Sequence, residues 1–194
     1  FDPRGFPVSG IDPSVAANGT FFGTEWLPRV GYQRGREFQG AVERRAHDLP
    51  PRPEIPSHDD PEALTNVNGL GPIMFEAVVG TDEGQTAVAP GALRRTWAQD
   101  GRRYFHYATD APILNNFAFF SAAYAVREGR WNDVEIQIFH HPKHALNVDR
   151  MVRSVQASLD YLTRRLGPYP HRQIRFVEYP GRRRTLYAHP INIR

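Results

Sequence analysis

The densest group of reactive side chains is His140-His141-Pro142-Lys143-His144. Imidazoles hold a transition metal when two or three converge on one point. Here His140 and His141 are neighbours at the end of a strand, where successive side chains face opposite ways. Lys143 adds positive charge between them and His144. Solvated histidines in a loop between strand and helix account for the same run. His58-Asp59-Asp60 with Glu62 offers oxygen ligands to a cation but lacks the ordered Asp/Asn/Gly spacing of a calcium loop. Glu178 sits in the apolar stretch Phe176-Val177-Glu178-Tyr179. A carboxyl buried there would have a shifted pKa and would mark a reactive site. The competing expectation is a Glu that faces water or pairs with an arginine of a neighbouring strand. Arg182-Arg183-Arg184, with Arg172 and Arg175 nearby, is the strongest basic run, and Phe176, Tyr179 and Tyr187 lie close to it. Such a run can hold phosphate and stack bases. A solvated turn between two strands explains it as well, and a nucleic-acid partner is not expected.

Several chemistries have no motif to carry them. There is no phosphate-binding Gly-x-x-x-x-Gly-Lys, no dinucleotide fingerprint, no Gly-x-Ser-x-Gly elbow and no His-Glu-x-x-His. Cysteine is absent, which excludes disulfide frameworks, zinc ribbons and thiolate catalysis. Of the 194 residues, 40% are apolar and 23% charged, as in globular domains. The net charge is +3, too small to argue for a polyanionic partner. The longest apolar run, Phe117–Val126, is about half of what a spanning helix needs. The chain begins at Phe1 without a signal-like segment and reads as a piece of something longer.

The elements that must position these groups are mostly strands. Residues 1–70 are irregular, with short ordered stretches expected at Gly19–Phe22, Arg29–Tyr32 and a polar helix near Glu37–His47. The four prolines of Leu49–Pro56 favour an extended loop. From Ile73 the pattern turns to β. Strands are expected at Ile73–Val79, Thr86–Ala89, Leu93–Ala98, Arg102–Ala108, Phe117–Val126 and Val134–His140. Asp100-Gly101 suits a tight hairpin because both residues tolerate positive φ. Glu128-Gly129-Arg130 reads as a second turn, before the Val134 strand. Met151, Val155, Leu159, Leu162 and Leu166 repeat at helical steps over 148–166, with Asn147 as N-cap and Gly167-Pro168 as the stop. A last strand is expected at Ile174–Tyr179. The outline is a mainly β fold, a sandwich or a curved, saddle-like sheet, with one late helix and one late strand. The expected units are a β-rich domain over 1–145, irregular to residue 70 and stranded over 71–145, and a helix-plus-strand bridge over 146–194.

Taken in order, some of these segments resemble a known family. Leu159–Leu166 followed by Gly167-Pro168-Tyr169-Pro170 and the strand Arg175–Pro180 is similar to the M1 family of zinc aminopeptidases. Asn18–Phe22, Leu27–Tyr32, Arg44-Arg45, Thr81–Gln85, Ala89–Gly91, Trp97, Arg103–Phe105, Pro112-Ile113 and Phe119–Tyr124 continue the likeness over most of the chain. The variant resembled is the M1-like peptidase domain of bacterial ABC permease proteins. The resemblance implies an N-terminal β-domain of a metallopeptidase, without the zinc motif and not catalytic alone. Zinc would belong to the parent, held beyond Arg194. The implied partners are a catalytic domain further along the same polypeptide and a peptide substrate. A membrane would be met only through the parent's permease region. Three positions correspond to substrate contacts: Asn18, Glu178 and Ala188. Ala188 falls where the family has an amine-binding Glu, and a methyl group cannot pair with an ammonium. Asn18 accepts a hydrogen bond but brings no charge. The rival is a stand-alone β-sandwich module that binds peptide or glycan. It calls for an exposed aromatic patch, whereas the peptidase reading calls for a helix 148–166 that keeps an uncovered apolar face.

Overall fold

The computed structural model describes residues 15–16, 19–24, 27, 37–52, 59 and 72–179. The fold is mainly β, as the strand pattern predicts. In chain order the strands are β1 (Val15–Ala16), β2 (Gly19–Gly23), β3 (Glu76–Asp82), β4 (Thr86–Val88), β5 (Ala92–Gln99), β6 (Arg102–Ala108), β7 (Ala118–Ala122), β8 (Ala125–Trp131), β9 (Val134–His140) and β10 (Gln173–Val177). A short helix α1 (Ala41–Ala46) precedes β3. The long helix α2 (Val148–Leu166) joins β9 to β10 after a 3-10 turn, Pro142–Asn147. The strands form three small sheets, ordered β1-β2-β7-β4, β10-β9-β8 and β3-β6-β5. No helix among the described residues is long and apolar enough to cross a membrane.

β4 explains how the sheets share a core. Side chains alternate through its end, so Ala87 and, just past the strand, Ala89 enter one cluster and Val88 another. The first cluster holds Phe75, Phe105, Tyr107, Ile113 and Phe117. The second holds Phe21, Ala118, Phe120 and Phe139. On β9, Val134, Ile136 and Ile138 share the face covered by Val148, Val152, Val155 and Leu159 of α2. Phe139 turns the other way, into the cluster of Phe21. That alternation is the period of two of an extended strand.

The boundary expected at 145/146 runs through a sheet. β8 and β9 come before it, α2 and β10 after it, and β10 pairs in parallel with β9 from Gln173↔Glu135 to Val177↔Phe139. The stretch Phe117–Val126 is two strands rather than one. The Tyr124 N–H bonds back to the Ala122 carbonyl at 2.9 Å, and the chain leaves β7, which pairs with β2, for β8, which pairs with β9.

Two glycine readings separate here. Asp100 and Gly101 stand at φ 50° and 70° between β5 and β6, the tight hairpin expected of Asp-Gly. Glu128-Gly129-Arg130 is not a turn: all three residues lie inside β8, paired with β9. The bend falls at Asn132-Asp133 instead, with Asn132 at φ 50°. Gly129 is small because α2 crosses it, and a Cβ there would stand 2.5 Å from Val152 Cγ1. Gly91 is more constrained still. Its φ is +86°, and a Cβ would meet the Ala108 backbone at 2.4 Å. Gly91→Ala is therefore expected to cost about 3 kcal/mol or more, since backbone must move. Gly101→Ala meets open space and is expected to cost only the left-handed strain, about 1 kcal/mol. Urea denaturation of the two variants beside the parent checks this order.

Candidate functional site

The candidate site is built on the crossover β9–α2–β10. A parallel pair needs such a crossover, and the carboxyl ends of its strands are where side chains from both strands meet the next loop. Here those ends are His140 and Val177. Beyond them, Glu178 reaches back to the segment leaving β9. Its Oε2 accepts the His141 backbone N–H at 2.7 Å, and its Oε1 pairs with His144 Nδ1. The Glu178 N–H donates to the Phe139 carbonyl at 2.8 Å, and its own carbonyl accepts the Tyr124 hydroxyl at 2.8 Å. His141 Nδ1 accepts the Lys143 N–H at 3.2 Å and so caps the 3-10 turn. The His141 and His144 rings lie 4.9 Å apart, centre to centre.

Histidine and acid, separate in the sequence, thus meet. Glu178 lies just past β10 rather than within it, and its pairing partner is a histidine rather than a neighbouring-strand arginine. His140 is apart from the other two, its Nδ1 lying 2.9 Å from the His141 carbonyl. Both Glu178 oxygens are engaged by the chain itself, so the carboxylate acts as a clasp that holds the chain after β10 against the 3-10 turn. Among the described residues no three His, Cys, Asp or Glu side chains are arranged to hold a metal ion. Asn18 and Ala188 lie outside the described residues, as do His58, Asp60, Arg29–Tyr32 and Arg182–Arg184.

Beside the clasp runs a groove of about 820 Å³. Met151, Leu162 and Leu166 of α2 form one wall; Tyr169, Ile174 and Phe176 form much of the other. The helical repeat marks Met151, Leu162 and Leu166 as apolar-face residues, yet they are 38%, 46% and 82% exposed. The face is wider than the two strands it covers: β8 and β9 take up Val148, Val152, Val155 and Leu159, and the rest overhangs the edge of β10. Leu146, in the 3-10 turn before the helix, is 94% exposed.

Arg175 was legible in sequence only as one member of a basic run, yet it is buried. It points inward from β10, donates to the Gly91 carbonyl and lies 5.3 Å from the centre of the Tyr107 ring. Burial lowers its pKa, and Tyr107 and Glu135 oppose that shift. Burial in turn pushes the Tyr107 hydroxyl up, with Arg175 pulling the other way. The Tyr124 hydroxyl is raised by burial first, then by the neighbouring Glu178 and Tyr179. Tyr169 is raised by burial alone.

No protein-family model matches the chain, and no curated protein is detectably similar to it.

This geometry leads to two measurements. A raised tyrosine pKa means that folding favours the protonated form. That stability is intact below the unfolded value, about 10, and is lost as pH rises above it. Spectrophotometric titration is expected to show Tyr107, Tyr124 and Tyr169, three of the eight tyrosines, ionising only as the fold is lost in alkali. Glu178→Ala removes the acceptor of one backbone N–H and one imidazole. It is expected to cost about 1–2 kcal/mol in urea denaturation, and Glu178→Gln less, because an amide oxygen still accepts.

Proposed function

We propose that this chain is the β-rich front portion of an M1-like zinc metallopeptidase, closest in kind to the peptidase domain of bacterial ABC permease proteins. In this reading it shapes the substrate cleft and packs against a catalytic domain further along the same polypeptide. It does not cleave peptides alone, because the sequence holds no His-Glu-x-x-His. Zinc is held beyond Arg194, and the membrane is met only through the parent. Asn18, Glu178 and Ala188 border the peptide's amino end, and Ala188 supplies no charge for it. That methyl group implies an altered specificity, or loss of activity, in the parent.

One observation carries the reading: the apolar face of α2 that the described residues leave uncovered, from Met151 to Leu166. A front portion needs such a face to dock the catalytic domain. A stand-alone module would bury it. The rival reading draws instead on Trp97 and Tyr104. Those rings stack on each other, 5.2 Å apart at 10°, and Arg95 lies over Trp97 at 5.1 Å. Ring faces that already stack within the protein are less available to a sugar.

The test is the open reading frame past Arg194. It is expected to encode His-Glu-x-x-His and a further Glu within about one domain's length. The longer protein is expected to bind zinc and the 194-residue chain is not. A continuation without those ligands would overturn the peptidase reading. The double variant Leu162→Asp/Leu166→Asp is expected to leave the 194-residue chain folded and more soluble, since both positions are exposed, and to block its association with the downstream portion in a pull-down.

A further inference from the structure

The groove beside α2 has one polar end. Asn147 and Arg150 lie there, while Leu166, Pro168 and Tyr169 stand at the far end. From Arg150 to Leu166 the helix covers about 24 Å at about 1.5 Å per residue. Arg150 is exposed and makes no hydrogen bond or ion pair among the described residues. Its neighbour Asp149 turns to β8, where it accepts from Arg127 at 2.7 Å. Asn147 holds the N-cap position of α2, yet its side chain makes no capping bond. A guanidinium and an amide therefore stand unengaged at the same end of the groove.

The rest of the groove is almost wholly apolar. Val155 and Leu159 are buried at its floor, and Met151, Leu162 and Phe176 are partly exposed above them. The polar side chains of α2 along it are the hydroxyls of Ser154, Ser158 and Thr163. Such hydroxyls can bond back to carbonyls of their own helix. The helix main chain is engaged within α2 itself.

These features discriminate between occupants. The volume, about 820 Å³, lies in the range of sites for small organic ligands, which are apolar with a few polar groups placed to orient the ligand. A peptide brings an N–H and a C=O with every residue, and burying them against apolar walls is costly unless each is bonded. A hydrocarbon chain brings neither. A neutral hydrocarbon would leave Arg150 and Asn147 without a partner. A carboxylate at that end accepts from both, and its bonds to a guanidinium are charge-assisted.

We infer that the groove binds a free long-chain fatty carboxylate, its tail lying between α2 and the side chains of Ile174 and Phe176 and its head held by Arg150 and Asn147. The inference goes beyond the peptidase reading and does not rest on it. The tail takes the floor of the groove, and the outer surfaces of Leu162 and Leu166 are left for a downstream portion to cover.

The probe is laurate, titrated into the 194-residue chain by calorimetry below its micelle-forming concentration. One laurate per chain is expected to bind. Dodecylamine, with the same tail and the opposite charge, is expected to bind about tenfold more weakly or worse. Octanoate, four methylenes shorter, is expected to bind at least about tenfold more weakly than laurate. Arg150→Glu is expected to weaken laurate about tenfold or more and to favour dodecylamine. Arg153→Glu, on the same helix but outside the groove, is expected to change neither. Ser158→Trp fills the middle of the groove and is expected to abolish binding, with circular dichroism checking that the helix is kept. Failure of laurate to bind, equal binding of laurate and dodecylamine, or undiminished laurate binding by Arg150→Glu overturns the inference. So does a dimer, in sedimentation, that laurate does not dissociate while Ser158→Trp does. Capture of the chain by phosphatidylglycerol vesicles that Ser158→Trp abolishes, without binding of free laurate, overturns the free carboxylate in favour of a bilayer. If the reading frame lacks a metallopeptidase domain while laurate binding and its dependence on Arg150 hold, the peptidase reading falls and the site stands.

Discussion

The fold depends on a buried guanidinium. Moving an arginine out of water costs several kcal/mol unless its donors are met and its charge is screened. Arg175 meets part of that demand from two directions: the Gly91 carbonyl takes a donor and the Tyr107 ring lies against the charge. Each partner imposes a further condition. Gly91 has a left-handed φ and stands against the backbone of Ala108, so no other residue fits without displacement. Tyr107 turns its hydroxyl to the Ala87 carbonyl at 2.9 Å, which fixes β6 against β4. β4 in turn pairs with β7. One side chain on β10 thus ties its own sheet to the other two.

That constraint also explains where the site lies. Because Arg175 and Phe139 anchor the β9–β10 pair inward, α2 covers only the other face of the sheet. The clasp at Glu178 then fixes the mouth of the crossover, where β9 ends and the chain leaves β10. Tyr124 joins the clasp from the break between β7 and β8, so the same hydroxyl stabilises the end of one sheet and the start of another. The groove is the remainder. An amphipathic helix leaves it uncovered when its apolar face is broader than a sheet whose edge stops at β10.

Much of this was legible as pattern. The period-2 alternation of Val134, Ile136 and Ile138 gave β9 to the residue, and the 3.6 period gave α2 as Val148–Leu166. Asp100-Gly101 marked its hairpin because two positive φ angles in sequence are a local demand. Non-local causes were not legible. Gly129 looks like a turn residue, but its size is set by Val152, which is 23 positions away in sequence and one helix away in space. The apolar run Phe117–Val126 carries no break signal, because the break is made by competing partners, β2 and β9, and not by turn residues. Glu178 and the histidines were visible singly. Their meeting required β10 to pair in parallel with β9, and parallel pairing leaves no signature in either strand. Arg175 is the limiting case: a buried arginine in a basic stretch looks like its solvated neighbours until its partners are in place.

The apolar face of α2 therefore has two parts with different causes. Val148, Val152, Val155 and Leu159 are explained by the side chains they touch, and each contributes on the order of 1–3 kcal/mol by leaving water. Met151, Leu162 and Leu166 gain only a fraction of that here, and exposed apolar side chains on a monomer work against solubility. A helix selected for this fold alone would carry polar residues at those three positions at little structural expense. Among the described residues that part of the helix face lines the groove, with Arg150 beside it. Apolar side chains of α2 and of β10, Met151, Leu162 and Leu166 with Ile174 and Phe176, meet at one surface. Their coincidence is what distinguishes a docking surface from scattered exposed leucines.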